Sequence, residues 1–285
     1  MMEFLPFDDP ATRRTLAGAM LVALGGAPLG VMMVLRRMSL MGDVIAHAIL
    51  PGTAAGFIIA GLSVPAMSFG GLLAGVVVAL AAGLVSRVTA IREDTNLATF
   101  YLLAVAIGVL MLALHGTAQD LESILFGSPE SISGDVLIAM AAVTSATLLV
   151  LAIIWRPLVV ESFDPVFMRS VRGHGGFYHV LFMMLLVLNM VEGYRMIGTM
   201  MAAGLMLIPA ASAQLWSRRI GAQIGIAALI GVVASPLGVW LALCLEIPSG
   251  PAVILFAGAV YLLSLAFGRH GSLRARYFPG RHLES

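Results

Sequence analysis

An aspartate and a histidine lie four residues apart in an apolar segment that is long enough to cross a bilayer. The segment reads Met38-Ser-Leu-Met-Gly-Asp43-Val-Ile-Ala-His47-Ala-Ile-Leu-Pro51-Gly52. Residues four apart on a helix share a face, with Cβ atoms about 5–6 Å apart, and carboxylate and imidazole groups both ligate divalent transition metals. Because ionisable groups in hydrocarbon usually mark an ion path, we predict that Asp43 and His47 contact a cation during translocation. A polar clamp between helices is the alternative.

Pro51 adds a backbone oxygen to this pair. Proline has no N–H, so the hydrogen bond from residue 51 to the carbonyl of His47 is absent, and a carbonyl freed at membrane depth needs another partner. Two side chains do not complete a four-coordinate metal site. Water could supply the remaining ligands, or a second copy of the chain could supply another Asp43–His47 pair.

The composition is that of an integral membrane protein. Of the 285 residues, 60% are hydrophobic and 11% charged, whereas a soluble domain carries about 25% charged residues. We expect a single membrane domain over residues 1–285, with a short N-terminal segment (1–14), a C-terminal tail (269–285) and no cleaved signal peptide. The net charge of +1 gives no sign of a nucleic-acid partner.

The chain contains no lysine, because all 16 basic residues are arginines. A P-loop of the form GxxxxGK[ST] is therefore absent, and a separate subunit must hydrolyse any ATP that drives the protein. An HExxH run is also absent, and Asp43 is the only acidic residue well inside a predicted span. We predict that the chain is not an enzyme and carries no covalently bound cofactor.

Nine apolar runs have about the length expected of transmembrane helices, roughly 17–25 residues. They lie near residues 15–35, 40–60, 65–86, 97–114, 136–155, 177–191, 196–215, 221–243 and 250–268. Only four residues, 192–195, lie between the sixth run and the seventh, so one of the two could be a half-helix. The predicted fold is an all-α, polytopic bundle of eight or nine transmembrane helices.

Arginines are distributed unevenly between the two sets of alternating connections. One set, together with the C-terminal tail, contains Arg36, Arg37, Arg87, Arg92, Arg156, Arg169, Arg172, Arg218, Arg219, Arg269, Arg274, Arg276 and Arg281. Only Arg13, Arg14 and Arg195 fall on the opposite side. The positive-inside rule therefore predicts a multi-pass membrane protein with a cytoplasmic C-terminus.

The longest inner connection contains a short predicted helix. Asp164 can cap a helix whose first position is Pro165, and Gly173 can end it. Phe163 and Phe167, together with Met168, would offer apolar contacts to a partner. The alternative is an interfacial helix that rests on lipid headgroups.

Other residues give weaker signals. The 18 methionines suggest copper, but methionine is also ordinary filler in apolar interiors, and we favour filler. Glu192 and Glu246 lie at the ends of predicted spans, where we expect them to be solvated. Pro209 frees the carbonyl of Leu205, which could serve an ion path or only a helix kink.

Four stretches of the chain resemble the membrane subunits of bacterial ABC importers for zinc, manganese and iron. The most specific is the run from Leu35 to Gly52 that contains Asp43 and His47. The other three, in order, are 120–127 (Asp-Leu-Glu-Ser-Ile-Leu-Phe-Gly), 161–167 (Glu-Ser-Phe-Asp-Pro-Val-Phe) and 197–212 (Ile-Gly-Thr followed by Leu-Ile-Pro-Ala-Ala-Ser). The resemblance extends from about residue 15 to about residue 268.

The resemblance implies a homodimer that binds two cytoplasmic ATP-binding subunits and receives metal from an extracytoplasmic metal-binding protein. It implies that Asp43 and His47 contact the metal, and that the segment 163–173 is the coupling helix that docks on the ATPase. The docking residues would be Phe163, Asp164, Pro165, Phe167, Met168 and Arg169. The chain departs from the family at Ala46, where Ser is frequent, and at Ser128-Pro129, where an acidic residue is common.

We therefore expect a permease for a divalent transition metal, zinc or manganese, with iron as a third candidate. The main alternative is a secondary transporter in which Asp43 carries protons that drive metal uptake. Such transporters contain inverted repeats, and no second helix matches the pattern of Asp43 and Pro51. A membrane scaffold without transport is disfavoured by the charged pair within a span.

Overall fold

The structure is a computed structural model, which describes residues 10–38, 41–61, 63–89, 93–115, 134–172, 175–245 and 247–274. These residues form helices and no strand. The helices are α1 (Pro10–Leu35), α2 (Met41–Ala48), α3 (Leu50–Ala60), α4 (Val64–Val88), α5 (Glu93–His115), α6 (Gly134–Phe163), α7 (Pro165–Arg172), α8 (Gly175–Ile197), α9 (Thr199–Gln214), α10 (Ile220–Leu245) and α11 (Ser249–Phe267).

Contacts between helices show which way each helix runs through the bundle. The described residues pass through the bundle nine times. Helices α1, α4, α6, α9 and α11 run one way, whereas α2–α3, α5, α8 and α10 run the other way. Seven passes are single helices long and apolar enough to cross a membrane. The other two are the α2–α3 pair and the 16-residue α9. The predicted all-α bundle is confirmed, and seven spans with two shorter passes roughly fit the predicted eight or nine helices.

The second pass is broken, which the prediction of one span over 40–60 did not include. Helix α2 ends at Ala48, Ile49 forms a turn, and α3 starts at Leu50. The N–H groups of Gly52 and Thr53 both bond the Ile49 carbonyl, at 3.1 and 3.0 Å. Pro51, between Leu50 and Gly52, has no N–H to continue the ladder of α2, so the chain restarts its hydrogen bonding at Ile49.

Glycines bring the helices around this break close together. A Cβ on Gly52 of α3 would collide with the carbonyl of Gly70 on α4, and the reverse holds for Gly70. On α5, a Cβ at Gly108 would lie 2.9 Å from the nitrogen of Pro51. Gly221 and Gly225 of α10 instead face open space in the described chain.

Methionines fill the core around α1, α2 and α8. The buried members of this cluster are Met32, Met33, Met38, Met41, Met183, Met190 and Met206. They pack among leucine, isoleucine and valine side chains, which fits the interpretation of methionine as a flexible core filler.

A buried hydrogen-bonded cluster, the Asn189 cluster, joins α1, α6 and α8. Asn189 Nδ2 donates to Thr147 Oγ1 at 2.7 Å, and Thr144 Oγ1 donates to the Leu21 carbonyl at 3.3 Å. The Asn189 side-chain oxygen faces Gly25, where a Cβ would lie 2.7 Å from it. Isolated threonines and asparagines in apolar runs do not reveal their partners, so sequence analysis missed this cluster.

Glu192 corrects another prediction. It is buried, with 9% of its surface exposed, whereas a solvated position at the end of span 177–191 was expected. Helix α8 continues to Ile197, and this part of it packs against α1 and α9, since a Cβ on the neighbouring Gly193 would lie 3.1 Å from Ala202 and 3.5 Å from Val22. Glu246 and the predicted motif at 120–127 lie outside the described residues.

The arginine-bearing connections meet at one end of the bundle, here called the arginine-rich end. It contains the last turns of α1, α6 and α11 and the first turns of α8 and α10, joined by contacts such as Arg36 to Ser162 and Trp216 to Ser264. Its described arginines include Arg36, Arg37, Arg156, Arg218, Arg219, Arg269 and Arg274. Arg13 and Arg14 lie in the first turn of α1, at the opposite end.

Candidate functional site

His47 is the partly exposed residue of α2, a helix whose other described side chains are buried. The helix contacts α4, α5, α8 and α9, and Met41, Ile45 and Ala48 are at most 2% exposed. His47 is half-buried, and it is the one side chain that is not fully buried among those described in α2. Ile49, two residues further, packs against Gly75 near the middle of the 25-residue α4. The imidazole therefore lies close to the middle of the bundle.

Asp43 occupies the position one turn before His47 on the same helix. Both lie within Met41–Ala48, and the four-residue separation places them on one helix face. The side chain of Asp43 lies outside the described residues, so its placement rests on the helix register. The structure thus supports the shared face that the spacing predicts.

Tyr101 of α5 packs against the imidazole, and sequence analysis did not identify it. The two rings form an edge-to-face pair with centroids 5.8 Å apart and an interplanar angle of 74°. Gly108, two turns later on α5, faces the break at Pro51. The sequence shows the seven-residue spacing of Tyr101 and Gly108. Only the structure shows that both residues face the broken second pass.

Among the described side chains, no three His, Cys, Asp or Glu residues come together. Two ligands from one chain would leave positions around a transition metal for water or for a second chain.

Helix α7 begins with the predicted cap. The Phe167 N–H donates to Asp164 Oδ1 at 2.8 Å, and the helix runs from Pro165 to Arg172. Phe163 and Phe167 are 61% and 53% exposed, and Val166 between them is 68% exposed. These three residues, the α7 apolar face, are available to a partner.

Another predicted docking residue of α7, Met168, does not share this exposed face. Met168 is 5% exposed, so it packs inward and anchors α7 to its own chain; it is not a contact offered to a partner. Met168 lies two positions after the exposed Val166, which is about 200° around the helix, so it is on the opposite side of α7. The side chains of Pro165 and Arg169 lie outside the described residues.

Comparison with known proteins gives consistent matches over nearly the whole chain. A family model described as ABC 3 transport family matches residues 8–268. The manganese transport system membrane protein MntC of Halalkalibacterium halodurans is 29% identical over 270 residues, which cover 94% of this chain and 91% of that protein. The chelated iron transport system membrane protein YfeC of Yersinia pestis is 28% identical over 280 residues, which cover 97% and 94%.

A solved structure has the same architecture. PsaBC from Streptococcus pneumoniae in complex with Fab matches with a TM-score of 0.81 and 28% sequence identity, covering 94% of this chain and 94% of that chain.

Proposed function

This chain belongs to the ABC 3 transport family, and we propose that it is the membrane-spanning permease subunit of an ATP-driven importer of a divalent transition metal. Manganese is the favoured ion, because relatives along most of the chain are named for manganese transport. Iron is the second candidate, since another relative is named for chelated iron, and zinc is the third.

The observation that supports this proposal best is the position of His47. An imidazole that is half-buried, on a short broken helix enclosed by four others, with a carboxylate one turn away, offers an incoming cation two ligands in exchange for water. Imidazole and carboxylate both bind manganese and iron, and the carboxylate adds the harder oxygen ligand that manganese favours.

The proposed assembly has two copies of the chain, two ATP-binding subunits and an extracytoplasmic metal-binding protein. The α7 apolar face would dock on the ATP-binding subunit, and the absence of a P-loop lysine leaves ATP hydrolysis to that subunit. The chain is then one membrane domain that performs no covalent chemistry. The arginine-rich end would face the cytoplasm by the positive-inside rule, with the C-terminus on that side.

Uptake by purified complex in proteoliposomes tests the proposal. ATP-dependent manganese uptake should fall by at least about 10- to 100-fold in Asp43→Ala and in His47→Ala. Loss of a residue that only supports a metal ligand already lowers metal affinity or activity by about that factor. Asp135→Ala and His270→Ala serve as matched controls, because they remove the same side-chain types away from α2 and should transport normally.

Two results would contradict the proposal in different ways. Wild-type uptake by both Asp43→Ala and His47→Ala would exclude this pair as the metal site. Metal uptake that needs no ATP-binding subunit would instead favour the secondary transporter. Competition by iron and zinc in the same assay ranks the three ions.

A further inference from the structure

Arg36 lies between the end of α1 and the helix that carries Asp43 and His47. The turn is closed by backbone hydrogen bonds from Met38 to the Met33 carbonyl at 2.9 Å and from Met41 to the Met38 carbonyl at 3.0 Å. Arg37 adopts a left-handed conformation, with φ of +59°, which is the usual way to end a helix with such bonds. Only four residues separate Arg36 from the first residue of α2, and a backbone hydrogen bond joins Met41 to Met38 across part of this connection.

The guanidinium of Arg36 binds both helices that flank α7. Arg36 Nε donates to Ser162 Oγ of α6 at 2.8 Å, and Nη1 lies 3.0 Å from His179 Nδ1 of α8. The same group lies over the ring of Phe182 of α8, 4.7 Å from its centroid. Ser162 Oγ donates its own proton to the Leu158 carbonyl at 2.5 Å, so a lone pair remains for the arginine.

These contacts surround the base of α7. Ser162 precedes the cap residue Asp164 by two positions, and His179 lies in the second turn of α8 after α7. In the described residues the main helix contacts of α7 are with α6 and α8, and Met168 packs inward. A force applied to the α7 apolar face therefore reaches α6 and α8, which Arg36 joins to each other and to α1.

We propose that Arg36 is a positioning residue that transmits displacement of α7 to α2, so that docking and closure of the ATP-binding subunits reorient the helix carrying Asp43 and His47. This inference rests on the proposed function, because it needs α7 to be the docking helix and α2 to carry the metal ligands. Arg36 itself touches neither the metal nor the partner.

The contacts require arginine in particular. A planar guanidinium can donate in two directions while its face lies over Phe182, and a lysine ammonium has neither the fork nor the plane. Loss of Arg36 should leave the bundle folded, since the Asn189 cluster and the methionine-rich core also hold α1, α6 and α8 together.

The test measures metal moved per ATP hydrolysed by the reconstituted complex, together with basal ATPase activity. Arg36→Gln should keep basal hydrolysis and lower the metal-to-ATP ratio by about tenfold or more, the scale expected when hydrogen bonds to a charged group are lost. Arg36→Lys should be nearly as defective. Arg37→Gln, which removes the adjacent exposed charge, is the matched control and should keep the wild-type ratio.

A second set of variants separates positioning from a purely structural role. His179→Gln retains an acceptor for Arg36 and should couple normally, whereas His179→Leu and Ser162→Ala should each lower the ratio without changing basal hydrolysis. If Arg36→Gln does not fold, these variants decide the question alone. In that case unchanged ratios in both His179→Leu and Ser162→Ala overturn the inference.

The inference and the proposed function fail differently. A wild-type ratio in Arg36→Gln, or a proportional loss of basal hydrolysis and uptake in every variant, overturns the role of Arg36 while wild-type transport stands. Absence of ATP-driven metal uptake by the wild-type complex would overturn the proposed function itself.

Discussion

The uncharged ring of Tyr101 packs against the imidazole of His47. The edge-to-face contact with Tyr101 limits rotation of the imidazole, and a ligand held in one orientation loses less freedom when it binds a metal. Aromatic pairs of this kind contribute about 0.5–1.5 kcal/mol beyond their area. Tyr101 thus supports the site without being a ligand in the proposal.

Substitution of Tyr101 measures this support. Tyr101→Leu should raise the manganese concentration for half-maximal uptake by roughly 2- to 10-fold, the affinity equivalent of one aromatic pair. Tyr101→Phe retains the ring and should transport like the wild type, and Tyr261→Leu on α11 is a control distant from α2. A large defect in Tyr101→Phe would contradict the orienting role and indicate that the hydroxyl itself binds the ion.

Adjacent arginines show how much tertiary context matters at the residue scale. Arg36 and Arg37 are adjacent and chemically identical in the sequence, which predicts only the side of the membrane on which they lie. The structure places Arg36 against Ser162, His179 and Phe182, whereas Arg37 is exposed and closes the helix in a left-handed conformation. The two charges therefore have different expected effects on transport.

At the scale of elements, the break between α2 and α3 decides what the second pass can do. An intact 20-residue helix would satisfy its own backbone, but the restart at Ile49 ends the short helix just after His47. The close approaches at Gly52 and Gly108 fix α3 and α5 around this break. Helix α2 is then a short unit separate from α3, as the proposed coupling through Arg36 requires.

Helix α7 gives the prediction that belongs to this scale. The double variant Phe163→Ser with Phe167→Ser should weaken binding of the ATP-binding subunit to the nanodisc-embedded chain by about 30-fold or more, because buried aromatic hot spots are worth at least about 2 kcal/mol. Phe267→Ser is the matched control, as Phe267 is 58% exposed at the same end of the bundle. Unchanged binding of the double variant would favour a helix that rests on lipid.

For the whole molecule, the central question is how the proposed site, with two ligands per chain, would become complete. Among the described side chains no third carboxylate, imidazole or thiol joins a cluster. A two-fold axis beside α2 would bring two Asp43–His47 pairs to one ion, which gives the four ligands typical of closed sites. A symmetric pair of chains also fits the preference of homo-oligomers for two-fold symmetry.

Metal stoichiometry tests this arrangement. Equilibrium binding of manganese to the purified complex, without ATP, should saturate at one ion per two chains, and His47→Ala should abolish that binding. Asp135→Ala controls for nonspecific binding to exposed carboxylates. Saturation at one ion per chain would show two independent sites completed by water.

The sequence alone determined the membrane location, the approximate spans, the alternation of arginines and the placement of Asp43 and His47 one helical turn apart. Each of these depends on composition or on helical spacing, which are local properties of the chain. The cap at Asp164 and the missing hydrogen bond at Pro51 were predictable for the same reason, since backbone chemistry acts within about one turn.

Only the tertiary structure decided which of these features meet. The contact of Tyr101 with His47, the burial of Glu192 and the Asn189 cluster all join residues from helices that are distant in sequence, as does the binding of Arg36 to both flanks of α7. In a bundle whose helices are apolar on all sides, hydrophobic periodicity does not select neighbours. Packing at small residues and a few buried polar contacts selects them instead, and these depend on the complete fold.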